Sequence, residues 1–259
     1  MTQSLEILST KVNAKINIGL HIVGKRPDGY HNLQTIFYPT DFFYDNLTVK
    51  KSEKELVFLV ESSENIGTSE DNLCVKAFRL LQKKYGISGV EISLTKGIPS
   101  GAGLGGGSAD AAFTLKLLNQ LFNLSISQFE LSEYALMLGS DVPFFISNEP
   151  VFATGRGEIM TPLNLDLSKY ELKIVKPDIN ISTKEAYEYI TPKQPQSSLI
   201  ELIKSPIAKW KSLIINDFEE SLFKKYPVLA DTKQKLYDEG AEYASMSGSG
   251  SACFGLFKK

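Results

Sequence analysis

The sequence predicts an α+β protein of two domains. Strand-like and helix-like segments follow one another without a regular βα alternation, which disfavours a doubly wound sheet. A chain of 259 residues is long enough for two ordinary domains. Glycine, proline and polar residues cluster at 155–168, as they do in interdomain linkers. We therefore expect an N-terminal domain at 1–158 and a C-terminal domain at 159–259.

Composition narrows the class of protein. A hydrophobic content of 42% supports a real core, and a net charge of −2 argues against a general nucleic-acid or membrane-surface binder. Cys74 and Cys253 are too far apart in sequence for a metal-ligand pair, and so few cysteines suit a reducing compartment. No apolar run reaches the ~18 residues of a membrane span. We expect a soluble cytoplasmic protein that binds neither nucleic acid nor membrane, as a monomer or a homodimer.

Periodicity predicts the elements of the first 154 residues. Asp71 is the predicted N-cap of a helix that ends at Gly86. A capping box at Ser127 and Glu130 predicts a second helix, which ends at Gly139. Alternating apolar residues predict strands at 5–23, 33–43, 46–50, 55–60, 90–94 and 151–153.

The C-terminal part reads as a mixture of short helices and strands. Ser182 and Glu185 form a capping-box pattern, which predicts a helix start. A second glycine- and serine-rich loop, at 246–251, follows near the end of the chain. We expect helices at 199–204, 217–225 and 228–238, and strands at 170–175, 241–245 and 252–257.

The stretch at 99–109 is the strongest local signal. It holds five glycines in seven positions and runs directly into a helical pattern, which disfavours a flexible linker. Glycine lets a ligand approach the main chain, and a helix N-terminus offers unpaired N–H groups and a positive dipole end. Together they predict an anion site, most simply for phosphate. The apolar face of the helix is predicted to be Ala111, Leu115, Leu118 and Phe122.

Two familiar phosphate motifs do not fit this stretch. It has no Gly-Lys-Ser/Thr ending, so it is not a Walker A loop. Gly101, Gly103 and Gly106 match G-x-G-x-x-G, but a dinucleotide fold needs an acidic residue about 20 positions later. Position 126 is Ile, and no acid lies nearer than Glu130.

Three other places carry candidate chemistry, each with an ordinary alternative. Lys15 lies in an apolar strand, where most lysines reach out to solvent. The turn at 26–31 fits two interpretations equally well. It is either a solvated hairpin tip or a clamp, in which cations and aromatic rings hold an anionic aromatic ligand. Asp141 follows a helix stop, either as the N-cap of a short turn or as a carboxylate facing a cleft.

Three motifs in order resemble the GHMP small-molecule kinases. They are Lys15-Ile16-Asn17, the stretch at 99–109, and the loop at 247–251. The resemblance covers nearly the whole chain. It implies a two-domain GHMP kinase-like fold, with a nucleotide-binding N-terminal domain and the active site in the cleft between domains.

The resemblance also implies roles for individual residues. Lys15 and Asp141 are the implied catalytic pair: Asp141 would take the proton of the acceptor hydroxyl or orient that hydroxyl, and Lys15 would keep Asp141 ionised or stabilise the moving phosphoryl group. The implied ATP-binding residues are Pro99, Ser100, Gly101, Ala102, Gly103, Leu104, Gly105, Gly106, Gly107, Ser108 and Ala109, with Ser108 a candidate Mg²⁺ contact. The implied substrate-binding residues are Asn17, Tyr30, His31, Thr183, Gly248 and Ser249.

Within the family, the segments at 26–31 and 138–145 are most similar to members that phosphorylate a cytidine diphosphate-linked methylerythritol, on the non-mevalonate route to isoprenoids. Tyr30 and His31 would then hold the cytidine. A homoserine- or mevalonate-type kinase is an alternative, although a small acceptor has no use for a stacking clamp. A non-catalytic nucleotide-binding protein on the same fold is another, and it would need neither Lys15 nor Asp141.

Overall fold

Two long strands begin the fold. In the computed structural model, which describes residues 6–62 and 69–259, β1 is Ile7–Lys25 and β2 is His31–Lys51. The two strands pair with each other. The strand predicted at 5–23 is confirmed from Ile7 onward, and its first position, residue 5, lies outside the described residues.

The predicted break in the second strand is wrong. We expected separate strands at 33–43 and 46–50, and Asp45, a poor strand former, lies between them. The structure has one continuous strand, in which Asp45 is fully buried. Its Oδ1 accepts hydrogen bonds from the backbone N–H groups of Gly97 (2.6 Å) and Ile98 (2.8 Å). A distant segment thus satisfies the carboxylate without interrupting the strand.

The chain forms two compact units, each assembled from separated stretches. Unit one comprises the chain up to Ala14, Phe43–Ser100 and Gly105–Asn148, and unit two comprises Lys15–Phe42, Gly101–Leu104 and Glu149–Lys259. Both long strands and the glycine-rich stretch therefore contribute residues to each unit. The domain boundary between residues 158 and 159 stays a prediction.

The described part of unit one packs four α-helices and a short sheet. β4 pairs parallel with β3 and antiparallel with the Asn46–Lys51 end of β2. α2 packs against the other three helices, and Ala111, Leu115 and Leu118 of its predicted face are fully buried. The elements are β3 (Leu56–Glu61), α1 (Leu73–Tyr85), β4 (Val90–Thr95), α2 (Gly106–Leu121), α3 (Gln128–Leu138) and α4 (Phe144–Ser147).

Helix ends in unit one follow the capping prediction with one correction. The N-cap of α1 is Asn72, whose side chain accepts from the N–H of Cys74, while the predicted cap Asp71 belongs to a preceding 3₁₀ turn. Gly86 ends the helix with φ 63°, as predicted. The capping box of Ser127 and Glu130 is also confirmed.

Unit two contains a hairpin that continues the pairing of β2. β5 (Val151–Thr154) pairs antiparallel with the residues of β2 around Ile36, and β6 (Ile159–Pro162) pairs antiparallel with β5. The sequence did not predict β6, because its four residues lie among the glycine, proline and polar positions at 155–168. The turn at 155–158 connects the two strands.

The rest of unit two is a three-stranded antiparallel sheet, ordered β7-β9-β8, with helices packed on it. The predicted strands and the helices at 217–225 and 228–238 are confirmed, whereas the 3₁₀ turn at 207–209 and the helix after it were not predicted. The elements are β7 (Tyr170–Val175), α5 (Thr183–Glu188), α6 (Leu199–Leu202), α7 (Trp210–Leu213), α8 (Asp217–Lys225), α9 (Pro227–Asp238), β8 (Tyr243–Met246) and β9 (Cys253–Lys258).

The start of α5 departs from the predicted capping box. Ser182 accepts a hydrogen bond from the N–H of Glu185, which is half of the motif. The Glu185 carboxylate instead accepts hydrogen bonds from Lys225 Nζ (2.8 Å) and the Tyr226 hydroxyl (2.5 Å) of the α8 end.

The mixed order of elements confirms the α+β class. No helix in the described part of the chain has the length and apolarity that a bilayer span requires.

Candidate functional site

Lys15 is a buried lysine, not a surface one. It lies on β1 with 3% of its surface exposed. Residues two apart on a strand share a face, and Lys15 Nζ donates to Asn17 Oδ1 at 2.5 Å. It also donates to the carbonyl oxygen of Gly103 at 3.0 Å and lies 5.0 Å from the ring centroid of Phe37. A buried ammonium group thus stands directly against the glycine-rich stretch.

The third motif completes the surroundings of Gly103. The Ser247 hydroxyl donates to the Gly103 carbonyl oxygen at 2.8 Å and accepts from the N–H of Asn17 at 3.2 Å. Gly103 has φ 74°, and a Cβ there would lie 1.9 Å from the Ser247 carbonyl oxygen. Only glycine fits both requirements. The three motifs singled out in the sequence therefore converge on one place in unit two.

The helix start of the glycine-rich stretch lies in unit one. Gly105 is the N-cap of α2 with φ 75° and makes no side-chain cap bond, so the first-turn N–H groups at 106–108 are left for another acceptor. A Cβ on Gly107 would meet no atom within 4 Å. This open, uncapped helix start has the chemistry that a phosphate needs.

A buried ionic cluster, which the sequence did not reveal, supports that helix start. Lys96 Nζ donates to the carboxylates of Asp45 and, at 2.7 Å, Asp110. Burial raises the pKa of Asp110 to about 7, against the attraction of Lys96 and with the repulsion of Asp45. Burial alone would lower the pKa of Lys96, but the two carboxylates raise it. The cluster ties the residues before the glycine-rich stretch to the second turn of α2.

The turn at 26–31 is internally braced. The Asp28 carboxylate accepts from Arg26 Nε (3.0 Å) and from the N–H of Tyr30 (3.1 Å). The N–H of Arg26 donates to the carbonyl oxygen of Tyr30 at 2.8 Å. Tyr30 nevertheless remains 56% exposed. The turn thus presents a tyrosine ring on a fixed backbone.

His31 stacks on a ring that the sequence did not identify. Its centroid lies 4.7 Å from that of Tyr187, with 20° between the planes, and Tyr187 meets Phe218 edge-on at 4.9 Å. Burial, with the charge of Lys25, lowers the pKa of His31. At neutral pH the imidazole is therefore uncharged, with one nitrogen a donor and the other an acceptor.

Other predicted substrate residues are also brought together in unit two. The hydroxyl groups of Thr183 and Ser249 lie 3.5 Å apart. Gly248 has φ 55°, and a Cβ there would lie 3.2 Å from Asn17 Oδ1. The loop at 246–251 thus connects the surroundings of Lys15 with the start of α5.

Asn216 holds this loop and was missed by the sequence analysis. It is 2% exposed. Its side-chain amide donates to the carbonyl oxygens of Met246 (2.9 Å) and Gly248 (2.8 Å), while its Oδ1 caps α8 by accepting from Phe218. Asparagine is a common N-cap, but nothing local in the sequence indicates the second role.

Asp141 and Ser108 belong to unit one. Asp141 is half-buried in the turn between α3 and α4, after the helix stop at Gly139, as predicted. Ser108 lies in the first turn of α2. Among the described residues no group of three or more His, Cys, Asp or Glu side chains is arranged to hold a metal ion.

Family comparisons agree with the motif analysis. The profile of the GHMP kinases N terminal domain matches residues 72–149, and that of the GHMP kinases C terminal domain matches residues 199–259. A Bacteroides fragilis protein named 4-diphosphocytidyl-2-C-methyl-D-erythritol kinase is 52% identical over 247 residues, which cover 95% of this chain and 90% of that protein.

Solved structures show the same fold. A crystal structure of 4-(cytidine 5'-diphospho)-2C-methyl-D-erythritol kinase has a TM-score of 0.77 and 33% identity, covering 96% of this chain and 90% of its own. The homoserine kinase from Cytophaga hutchinsonii has a TM-score of 0.70 at 20% identity, covering 100% and 88%. At that identity the second likeness concerns the fold alone.

Proposed function

This chain belongs to the GHMP kinase family, and from that premise we propose that it transfers the γ-phosphoryl group of ATP to 4-diphosphocytidyl-2-C-methyl-D-erythritol, at the 2-hydroxyl. The observation that carries the proposal is the buried Lys15 ammonium group, bonded to the carbonyl oxygen of Gly103 in the glycine-rich stretch. It supports phosphoryl transfer because such catalysis depends on positioned charge.

The choice of acceptor rests on the turn at 26–31 and on the named relatives. Tyr30 offers an exposed ring, and His31 offers an uncharged imidazole stacked on Tyr187. A cytosine ring has two flat faces and a polar edge, so rings for stacking and an imidazole for hydrogen bonding suit it. A homoserine or mevalonate acceptor would leave these groups without a partner.

The residues present fit ATP. The uncapped start of α2 supplies N–H donors, and the Cβ position on Gly107 is open, which leaves room for phosphate against the main chain. With no cluster of acidic ligands in the described residues, Mg²⁺ would arrive with the phosphates and take Ser108 as its protein contact, since Mg²⁺ keeps several waters. When bound, Mg-ATP supplies the phosphoryl group and neutralises part of its charge.

The roles of the two catalytic candidates follow from their chemistry. The acceptor oxygen bonds to the γ-phosphorus, the bond to the β-phosphate oxygen breaks, and the acceptor proton must leave. We assign that proton to the Asp141 carboxylate, a step worth about 10²–10⁴-fold. We assign Lys15 to the charge on the transferred group, since its ammonium is already desolvated and interacts more strongly there than in water.

An acceptor panel tests the proposed activity. The purified protein would be offered Mg-ATP with the cytidine diphosphate-linked acceptor, homoserine or mevalonate, and ADP release would be followed by a coupled assay. We expect turnover with the first acceptor alone. Turnover with either small acceptor would assign another kinase of the family, and ATP binding without any turnover would assign a non-catalytic protein.

Asp141→Asn tests the assigned base. We expect kcat to fall by about 10²–10⁴-fold, with the Kd for ATP unchanged in calorimetry, because the amide cannot accept the proton. Asp231→Asn, on the exposed face of α9, is the control and should match the wild type. A near-normal kcat for Asp141→Asn would remove this residue from the mechanism.

We also propose a cytoplasmic location. Cys74 and Cys253 are both buried and free, which suits a reducing compartment. Cell fractionation tests the location, and light scattering distinguishes the monomer from the homodimer.

A further inference from the structure

The turn at 155–158, between β5 and β6, lies beside the turn at 26–31 because of the register between β2 and β5. Thr35 of β2 faces Ala153 of β5, and two residues further along, the N–H of Leu33 donates to the carbonyl oxygen of Gly155 at 2.7 Å. Residue 156 is therefore held next to the beginning of β2. Tyr30 immediately precedes that strand, so the two turns are neighbours in unit two.

Arg156 uses this position to cover Tyr30. Its guanidinium carbon lies 5.0 Å from the centroid of the Tyr30 ring, within the range of a cation–π interaction. The Glu158 carboxylate accepts from the Arg156 N–H at 2.5 Å and lies 3.5 Å from Arg156 Nε. Glu158 thus fixes the backbone of Arg156 by a hydrogen bond and attracts its side chain by an ion pair, in which the buried Nε makes no hydrogen bond.

Tyr30 needs such support because its own contacts fix only its backbone. Asp28 holds the N–H of Tyr30, but the residue is 56% exposed, and an exposed side chain loses rotamer freedom when it binds a ligand. A guanidinium plane against one ring face restricts the side chain before binding. With 56% of the residue exposed, part of the Tyr30 side chain remains accessible to a ligand.

We propose that Arg156 is a positioning residue that sets specificity for the nucleobase, by covering one face of Tyr30 so that its other face receives the cytosine. This inference rests on the proposed function. It predicts that Arg156 strengthens the binding of the acceptor through Tyr30. It predicts no effect of Arg156 on ATP binding or on the rate of phosphoryl transfer.

The test is a double-mutant cycle in the acceptor assay. Arg156→Met keeps an unbranched apolar stem and removes the guanidinium group, and we expect the KM for the cytidine diphosphate-linked acceptor to rise about 3- to 10-fold. The kcat and the KM for ATP should stay within experimental error. Arg156→Lys retains the charge without the planar fork and should fall between the wild type and Arg156→Met. In a Tyr30→Leu background, Arg156→Met should have no further effect on the acceptor KM.

Lys211→Met is the matched control. Lys211 Nζ lies 4.0 Å from the ring centroid of Tyr237 in another cation–π pair, and this pair includes no residue of the turn at 26–31. It should leave the acceptor KM unchanged. An unchanged acceptor KM in Arg156→Met, or an equal loss in the Tyr30→Leu background, would overturn the inference while the wild type still turned over the acceptor. Absence of wild-type turnover would instead overturn the proposed function.

Discussion

Replacing Gly103 by alanine tests why the glycine-rich stretch needs glycine where it meets the third motif. The substitution imposes two strains. The backbone has φ 74°, and the added Cβ would lie 1.9 Å from the carbonyl oxygen of Ser247 and 3.3 Å from the N of Gly250. The first strain is conformational, and the second is steric.

The two strains have different sizes. An L-residue in the left-handed region costs about 1–2 kcal/mol. An ordinary contact begins near 3.4 Å, so the backbone of the loop must move by about 1.5 Å, and overpacking of a filled site costs about 1–3 kcal/mol. We expect Gly103→Ala to lower the free energy of unfolding by about 2–5 kcal/mol. Since Ser247 and Lys15 both donate to the Gly103 carbonyl oxygen, this movement would disturb the position of Lys15, and kcat/KM should fall by about 10².

Gly101→Ala separates the two strains. Gly101 has φ 61°, and a Cβ there would meet no atom within 4 Å, so this variant carries the conformational strain alone, about 1–2 kcal/mol. Denaturant unfolding without nucleotide would be followed by the fluorescence of Trp210, the single tryptophan, which is 1% exposed. Unfolding free energies that agree to within about 0.5 kcal/mol for the two variants would refute the steric part of this reasoning.

Three further predictions follow from the same structure. Gly107→Ala should stabilise the nucleotide-free protein by about 0.5–1 kcal/mol, yet raise the KM for ATP at least tenfold, because its Cβ enters space left open beside the helix start. Equal ATP kinetics would contradict this. Asn216→Asp keeps the cap of α8 but cannot donate to Gly248, so thermal and denaturant unfolding should show a loss of about 2–4 kcal/mol, whereas Asn72→Asp, a simple cap, should be nearly neutral. Folded Asp110, with a pKa of about 7 against 3.8, keeps a proton that the unfolded chain releases, so stability should fall as pH rises between these values. Asp110→Asn should flatten that slope, and parallel pH profiles for the two proteins would contradict it.

Local sequence patterns predicted most helices and strands, because periodicity and capping depend on residues that are close together in the sequence. Strand alternation and capping residues located the start of α3 and the end of α1 at Gly86. These patterns failed where a residue that is distant in the sequence determines the local structure. Asp45 remains in a continuous strand because the N–H groups of residues 97 and 98 bind it. Glu185 leaves its capping box because Lys225 offers a charged partner.

The candidate site likewise contains some residues that local patterns predicted and others that only the fold reveals. The motif glycines and Lys15 could be singled out because an unusual residue type stood in a recognisable local context. Tyr187 and Asn216 could not, since Tyr187 is an ordinary residue within a helix and Asn216 is an ordinary N-cap. Their importance arises from the residues that the fold brings to them, His31 in one case and the loop at 246–251 in the other.

The bond between Ser247 and Gly103 also sets an order of events in synthesis. Its two residues are 144 positions apart, so at about 5–20 residues per second the Gly103 carbonyl waits roughly 7–30 s for its partner to be made. Throughout that interval the nascent chain has the glycines but lacks the group that locks them. Gly103 therefore reaches its final hydrogen bonding only after residue 247 has been translated.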